Sequence, residues 1–316
     1  MRKVDVIIPT YNRAGFLHRA IASVLSQTFD DFAIIVVDDG GDNTTKSVVN
    51  SFGDQRLRYV RNENNMGEGR SRNVGLSNSS AEYIAFLDDD DEWLPEKLQL
   101  QVDLLESQPV KVGGVYTGFT AVQVPSGEIL YHRIVEKRGD VYQQMVQENV
   151  VGTSSTVLLR RECFERVGPF DESIPYGLDY DMWIRISKEF HFDCIEQSLV
   201  KYTVHERQLT NDLKLLIAGN EALLTKYDRF FASDRKMYSG RFADLAFLHR
   251  QNGDVRKAWK ALLKAIRVYP WVKEDYLSLA KLGLLSLLGR ANFQRLKSVK
   301  HGLIVPNGYG KFKVKP

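Results

Sequence analysis

A chain of 316 residues has room for one large domain and an appendage, and 43% hydrophobic with 26% charged residues is ordinary globular composition. Two cysteines, Cys163 and Cys194, are too few for a disulfide framework, so a reducing, cytoplasmic setting is the expectation. The opening MRKVDVIIPT lacks the apolar core of a secretory signal, and no run reaches the ~20 apolar residues that a spanning helix needs.

The first hundred residues alternate short apolar runs with helical patterns. Strands are expected at Val4–Pro9, Phe32–Asp38, Arg56–Arg61 and Tyr83–Leu87, each rich in Val, Ile, Tyr or Phe. Between the first two, Phe16, Leu17, Ala20, Ile21, Val24 and Leu25 mark one face of a helix over Phe16–Gln27. Thr44–Phe52, Glu68–Leu76 and Pro95–Glu106 read as further crossover helices, the last with Pro95 in its first turn, where a missing N–H costs nothing. Such units build a parallel sheet with right-handed connections and helices on both faces.

Longer strands follow at Val112–Val124 and Glu128–Val135, joined by Pro125-Ser126-Gly127. A strand is expected over Ser154–Arg160, a helix over Asp179–Glu189 and a final strand over Leu199–His205. From about residue 211 only helical periodicity is left, which places a domain boundary near 210, with an α/β domain at 1–210 and a helical region at 211–316. Ala243–Gln251 and Val255–Val268 flank Asn252-Gly253-Asp254, a helix stop followed by an N-cap residue, as in a helical hairpin.

Ligands of open α/β sheets bind at the carboxyl ends of the strands, near the switch in strand order. After the first strand stands Thr10-Tyr11-Asn12-Arg13, after the second Asp38-Asp39-Gly40-Gly41, and after the fourth Asp88-Asp89-Asp90-Asp91. A ring can stack on a base, and a carboxylate can accept from a base N–H or a ribose hydroxyl. Clustered carboxylates repel one another, so a divalent cation is the economical partner; a solvated turn is the plain alternative. An EF-hand beginning at Asp88 fails, because Trp93 and Gln99 stand where Gly and Glu are required. No G-x-G-x-x-G follows a strand and no G-x-x-x-x-G-K-[ST] exists, which argues against dinucleotide oxidoreductases and P-loop NTPases.

The strings VDVIIPTYNRAGFLHRAIASVLSQTF, VVDDGG, NMGEGRSRNVGL and YIAFLDDDDEW occur in that order. Together they resemble the family-2 glycosyltransferases over roughly residues 1–210. The resemblance implies an α/β GT-A fold, a Rossmann-like and mainly parallel sheet flanked by helices, here with an α-helical C-terminal extension. It also implies a nucleotide-sugar donor, bound with Mn²⁺ or Mg²⁺, and inversion at the anomeric carbon.

Carried over residue by residue, the resemblance places Pro9, Tyr11, Asp39, Arg72, Asp88 and Asp89 around the nucleotide sugar. Tyr11 lies at the base face, Asp39 at the base edge (a pair that suits uracil and hence a UDP-sugar) and Arg72 at the phosphates. Asp88 and Asp90 match a D-x-D motif, with Asp90 on the metal. In some relatives a histidine at the place of His205 reaches the metal or diphosphate, and imidazole is an acceptable Mn²⁺ ligand. Phe170-Asp171-Glu172 and Gly177-Leu178-Asp179-Tyr180-Asp181-Met182-Trp183 resemble the acceptor-side motif, in which an acidic pair opens a helix and its aspartate is the base. Here Leu178 replaces the first acid, leaving Asp179 as the base, with Asp38 and Asp181 as secondary candidates. That departure leaves open a nucleotide-sugar-binding protein of the same fold without turnover.

Residues 250–316 carry fifteen Lys or Arg against three acids, so the rest of the chain is net −9. Tyr276–Leu288 is leucine-rich and followed by Arg290, Arg295, Lys297, Lys300, Lys311, Lys313 and Lys315. Two readings stay open: a helix lying in an anionic membrane surface on the inner face of the cytoplasmic membrane, or leucines packed on the catalytic domain. Nucleic acid is disfavoured as a partner, because the tail has few interleaved aromatics and the acidic body would repel phosphates. The expected acceptor is a glycan or lipid-linked glycan of surface polysaccharide assembly, as in relatives of the family.

Overall fold

The computed structural model describes residues 2–206, 208–280, 282 and 283. They form two compact units, one running to residue 145 and resuming over 150–208, the other holding 146–149 and continuing from 209. Residues 281 and 284–288 of the leucine-rich tail helix expected over Tyr276–Leu288, and every basic residue named beyond it, lie outside the described residues.

The first unit contains β1 (Val4–Thr10), α1 (Ala14–Leu25), β2 (Phe32–Asp38), α2 (Thr44–Ser51), β3 (Leu57–Arg61), α3 (Glu68–Ser77), β4 (Tyr83–Phe86), β5 (Glu92–Trp93) and α4 (Lys97–Ser107). It goes on through β6 (Val112–Gln123), β7 (Glu128–Arg133), the start of α5 (Tyr142–Gln147), β8 (Val157–Arg160), α6 (Arg161–Val167), α7 (Leu178–Glu189) and β9 (His191–Val204). The strands form one sheet in the order β3-β2-β1-β4-β8-β6-β9-β5, with β7 paired to β6. β3, β2, β1 and β4 are parallel, and β6 runs parallel to β9, but β8 is antiparallel to both of its neighbours. The order reverses at β1, which lies between β2 and β4.

β1 and β2 are buried along their whole length, the expected state of parallel strands covered on both faces. Val4, Val6 and Ile8 of β1 share a core with Leu17, Ala20, Ile21 and Val24 of α1 and with Leu98, Val102 and Leu105 of α4. Each such side chain taken out of water contributes roughly 1.5–3 kcal/mol. Ile7, on the opposite face of β1, meets α3, and a Cβ built on Gly75 would stand 2.3 Å from Ile7 Cγ2. The glycine is what lets α3 lie this close to β1, so the first turn of the helix reaches the strand ends.

Several boundaries differ from expectation for local reasons. Helix α4 begins at Lys97 and leaves Pro95 outside, because the Pro95 carbonyl accepts from Thr28 N (2.9 Å) and Gln27 Oε1 accepts from Leu98 N (2.9 Å). Ser154–Thr156, expected as strand, is a 3₁₀ turn closed by the Thr153 side chain accepting from Ser155 N, and only Val157–Arg160 extends as strand. β9 starts at His191 rather than Leu199. Asp193, Glu196 and Gln197 dilute the apolar pattern of its first half, which is held by pairing with β6.

The second unit contains α8 (Leu213–Lys226), α9 (Asp228–Phe231), α10 (Arg235–Asn252) and α11 (Val255–Val268), and residues 273–280 are helical. Aspartates cap three of these helices: Asp212 accepts from Lys214 and Leu215 N, Asp234 from Met237 N, and Asp254 from Lys257 N. Between α10 and α11, Gly253 takes the left-handed conformation (φ 86°) that ends a helix without a Cβ penalty.

Gly75→Ala tests how tightly α3 is seated. Alanine favours a helix by about 1 kcal/mol over glycine, but overpacking against Ile7 costs about 1–3 kcal/mol. A contact of 2.3 Å lies at the severe end, so the urea midpoint should fall at unchanged slope; a rise would show that α3 moves aside freely.

Candidate active site

Parallel pairing brings the ends of β1, β2 and β4 level. Thr10 pairs with Asp38, Asp39 N donates to Thr10 O (2.9 Å), and Leu87 N donates to Ile7 O (3.0 Å). The three segments after these strands therefore emerge together, and the turn Asp88–Asp91 closes with Asp91 N donating to Asp88 O (3.0 Å).

Each of the four aspartates has its own partners. Asp88 Oδ1 accepts from Arg72 Nη2 (2.7 Å) and Oδ2 from Thr153 Oγ1 (3.2 Å). Asp89 accepts from Thr10 Oγ1 (2.6 Å) and Arg13 Nη1 (3.0 Å). Asp90 Oδ2 lies 3.0 Å from both Arg13 Nη1 and His205 Nε2. Asp91, 1% exposed, accepts from Ser155 Oγ (2.7 Å) and Thr203 N (3.0 Å). Burial pushes the Asp89 carboxyl up to about 7, reinforced by the charge of Asp90 and opposed by Arg13 and Thr10. Asp90 is also raised, by burial and then by Asp88, against the pull of His205 and Arg13. Asp91 is raised well above the carboxylate range, chiefly by burial.

His205 is held edge and face: besides Asp90, its ring stacks on Phe16 with centroids 4.6 Å apart. Asp90 and His205 thus offer one carboxylate oxygen and one imidazole nitrogen at the same point. Among the described residues, no group of three His, Cys, Asp or Glu side chains is arranged to hold a metal ion.

At the other end of the crevice, Tyr11 follows the buried Pro9 with its side chain 44% exposed. Asp39 is buried and accepts from Asn62 Nδ2 (2.8 Å), Met66 N (3.0 Å) and Gly67 N (2.8 Å). Both oxygens of Asp38 are used within the fold, by Gly41 N (2.8 Å) and Tyr59 Oη (2.6 Å). Asp38 is therefore tied into the end of β2.

Arg72 joins the two ends. It is 2% exposed, and its Nη2 lies 2.5 Å from Glu68 Oε1 and 2.7 Å from Asp88 Oδ1. Its guanidinium also lies over the Phe170 and Phe86 rings, at 5.5 and 6.0 Å. Buried Arg72 Nε has no hydrogen-bond partner among the described residues.

Asp179 stands in the first turn of α7, where Oδ1 accepts from Tyr180 N (2.8 Å). Burial pushes its carboxyl up to about 6; Arg72 and the backbone pull it down, and Asp88 adds to the rise. Asp181 is fully buried and paired with Arg185 Nε (2.9 Å), whose Nη1 and Nη2 donate to the Val167 and Pro169 carbonyls. That arrangement ties α7 to the chain before it and gives Asp181 a structural partner. Arg13, Glu68, Thr153 and Ser155 are site residues that no motif assignment singled out. Glu68 stands one helical turn before Arg72, a visible i, i+4 charge pair, whereas nothing near Thr153 or Ser155 in the sequence points to the aspartates.

Residues 5–168 match the model of the family described as Glycosyl transferase family 2. The chain belongs to that family. It is 30% identical over 270 residues to an uncharacterized glycosyltransferase of Rickettsia typhi, an alignment covering 82% of this chain and 83% of that one. It is 26% identical over 211 residues to the Escherichia coli UDP-Glc:α-D-GlcNAc-diphosphoundecaprenol β-1,3-glucosyltransferase WfgD, covering 66% of this chain and 80% of the relative. Among solved structures, S. aureus TarS 1–349 in complex with UDP-GlcNAc is similar with a TM-score of 0.60 at 18% identity, covering 84% of this chain and 81% of that one. The mannosyltransferase PcManGT from Pyrobaculum calidifontis, in complex with GDP-Man and Mn²⁺, gives 0.57 at 16% identity, over 94% and 83%. The chain is a glycosyltransferase of GT-A fold, and the described crevice is its candidate active site.

Proposed function

We propose that residues 1–210 are the catalytic domain of an inverting transferase that moves a sugar from a UDP-sugar onto an acceptor hydroxyl, with 211–316 as a helical, basic region. The observation that carries this reading is the placement of Asp179, a carboxylate raised to about 6, in the electrostatic neighbourhood of Arg72 and Asp88. That is the combination a general base beside a diphosphate site needs.

In this reading the exposed Tyr11 ring, with Pro9 behind it, stacks on the base. Asp39 has about four acceptor sites and spends three on the protein, leaving one for a base N–H. Arg72 meets the phosphates with N–H groups not committed to Glu68 and Asp88, and the unpartnered Nε supports this. Asp88 accepts from a ribose hydroxyl, and Asp89 holds Arg13 at the donor. Asp179 takes the proton of the acceptor hydroxyl as it attacks the anomeric carbon from the face opposite the departing UDP. A single displacement of this kind inverts the configuration.

Asp90 and His205 are the residues that would hold Mn²⁺ or Mg²⁺. Two protein ligands suit a cation that completes its shell with substrate phosphates and water, and mixed oxygen and imidazole donors suit Mn²⁺. Bound there, the cation supplies Lewis-acid neutralisation of the leaving diphosphate. The diphosphoundecaprenol-linked acceptor in the name of the E. coli relative supports a lipid-linked glycan as acceptor.

The partner proposed for the second unit is an anionic membrane surface on the cytoplasmic face. No helix among the described residues is long and apolar enough to cross a membrane. On α11, Arg256, Lys260, Leu263, Lys264 and Arg267 are all exposed at spacings that share one face, and Trp271 beyond it is 80% exposed. An aromatic ring beside a cationic stripe suits a headgroup boundary, where each basic residue adds about 1 kcal/mol.

Four measurements test this reading. Asp179→Asn should lower kcat by at least ~10²-fold with donor affinity kept. In the wild type, the base works only when ionised, so kcat/KM should fall as pH drops through about 6 and level off above it. Near-normal turnover of the variant would remove Asp179 from the chemistry. Asp90→Asn should abolish the Mn²⁺-dependent part of UDP affinity in calorimetry, because the amide keeps the size but lacks the charge that holds a hard cation; unchanged Mn²⁺ dependence would place the metal elsewhere. The full chain should float with phosphatidylglycerol vesicles at low salt, and Lys260→Glu/Lys264→Glu/Arg267→Glu should weaken this severalfold. Indifference of the wild type to such vesicles would sink the membrane reading.

A further inference from the structure

We propose that Glu68 is a positioning residue for the donor: it fixes the orientation in which Arg72 meets the diphosphate, and links that arginine to the nucleobase end of the crevice. The proposal rests on the assignment of Arg72 to the donor phosphates made above.

Glu68 and Asp88 meet the same nitrogen of Arg72, Nη2, at 2.5 and 2.7 Å. The two carboxylates come from different elements, Glu68 from the first turn of α3 and Asp88 from the turn after β4. A guanidinium is planar with its donors in a fixed fork, so holding one nitrogen from two sides sets the plane of the whole group. The aromatic rings of Phe170 and Phe86 pack against that plane. Nε, which has no hydrogen-bond partner among the described residues, is thereby buried and preset rather than free to rotate. Presetting a long side chain before the ligand arrives removes an ordering cost from binding, which is how a group that need not touch the ligand raises affinity.

Glu68 also follows directly on the two residues that grip Asp39. Met66 N and Gly67 N donate to the Asp39 carboxylate at 3.0 and 2.8 Å. The backbone that holds the base-edge carboxylate is therefore continuous with the side chain that holds the phosphate-side arginine. Glu68 is 31% exposed, so its carboxylate stands at the edge of the crevice. Its environment is crowded with like charge from Asp88, Asp179 and Asp90, with Arg72 as the main opposing charge. A carboxylate in that setting adds unfavourable charge near an anionic donor. Its contribution must then lie in the close contact its oxygen makes with Arg72 Nη2, and the amide variant separates that contact from the charge.

The test measures UDP affinity by calorimetry with Mn²⁺ on the full chain, with melting temperatures recorded in parallel. Glu68→Ala should weaken UDP about tenfold, whereas Glu68→Gln, which keeps the oxygen facing Nη2 and loses the charge, should stay within about threefold of wild type. In an Arg72→Ala background, Glu68→Ala should add less than about twofold, because there is no guanidinium left to position. Should Glu68→Ala lower the melting temperature enough to blur the result, Glu68→Gln and Glu68→Ser give the same comparison. Wild-type affinity in Glu68→Ala, equal weakening by Gln and Ala, or a full effect persisting without Arg72 would each overturn the proposal. If Arg72→Ala itself binds UDP normally, the assignment of Arg72 to the phosphates fails and Glu68 loses its role with it. If Arg72→Ala weakens UDP and Glu68→Ala does not, Glu68 alone is wrong.

Discussion

Four consecutive carboxylates on one turn are the constraint around which the candidate active site of this glycosyltransferase is arranged. Two like charges about 4 Å apart repel by about 4 kcal/mol at an effective dielectric of about 20, so such a turn needs a separate answer for each side chain. The fold supplies one from a different place each time. Arg72 and Thr153 answer Asp88, Thr10 and Arg13 answer Asp89, Arg13 and His205 answer Asp90, and Ser155 with Thr203 N answers Asp91. The partners come from β1, the loop before α1, α3, the segment before β8, and β9 with its end. Strands distant in sequence are drawn to one point by that need, and the turn in turn stitches the parallel half of the sheet to the β8-β6-β9 half.

The same accounting separates roles inside the cluster. Asp91 is sealed and satisfied by neutral donors, which is a structural arrangement. Asp90 faces the imidazole of His205 and keeps some exposure (12% of its side chain), the two features on which the proposed cation site rests. Asp88 stands between, shared by Arg72 on one oxygen and Thr153 on the other. Helix α3 has a comparable double task. Its seat on β1 depends on Gly75, and its first two turns carry Glu68 and Arg72 to the strand ends.

Much of this was legible in the residues. The buried parallel strands, the crossover helices and the position of the three chemistry-bearing segments after β1, β2 and β4 follow from apolar runs and periodicity, since strands covered on both faces must be apolar throughout. The asparagine, glycine and aspartate at 252–254 announce a helix end and a new cap, and the structure places Gly253 and Asp254 in those roles. Asp38 and Asp181 show where sequence reasoning stops. Both sit beside site residues in the chain, yet one is engaged by Gly41 and Tyr59 and the other by Arg185. A one-residue step along a strand end or around a helix turns a side chain away, and the motif itself carries no record of which neighbour is turned.

By itself, then, the sequence determined which chain segments end at the crevice and which of their residues bear charge or rings, because burial and periodicity are local properties of the chain. Tertiary structure alone decided which charges meet. Glu68 with Asp88 on a single nitrogen of Arg72, Ser155 beneath Asp91, and His205 against Asp90 are contacts across 16 to 115 positions, apart from the single helical turn joining Glu68 to Arg72. Such pairings depend on strand order and register, and the antiparallel insertion of β8 between β4 and β6 is what brings residues 153–155 under the aspartates. The physical reason is that hydrogen bonds and ion pairs act over a few ångströms in space, a range that sequence separation does not encode.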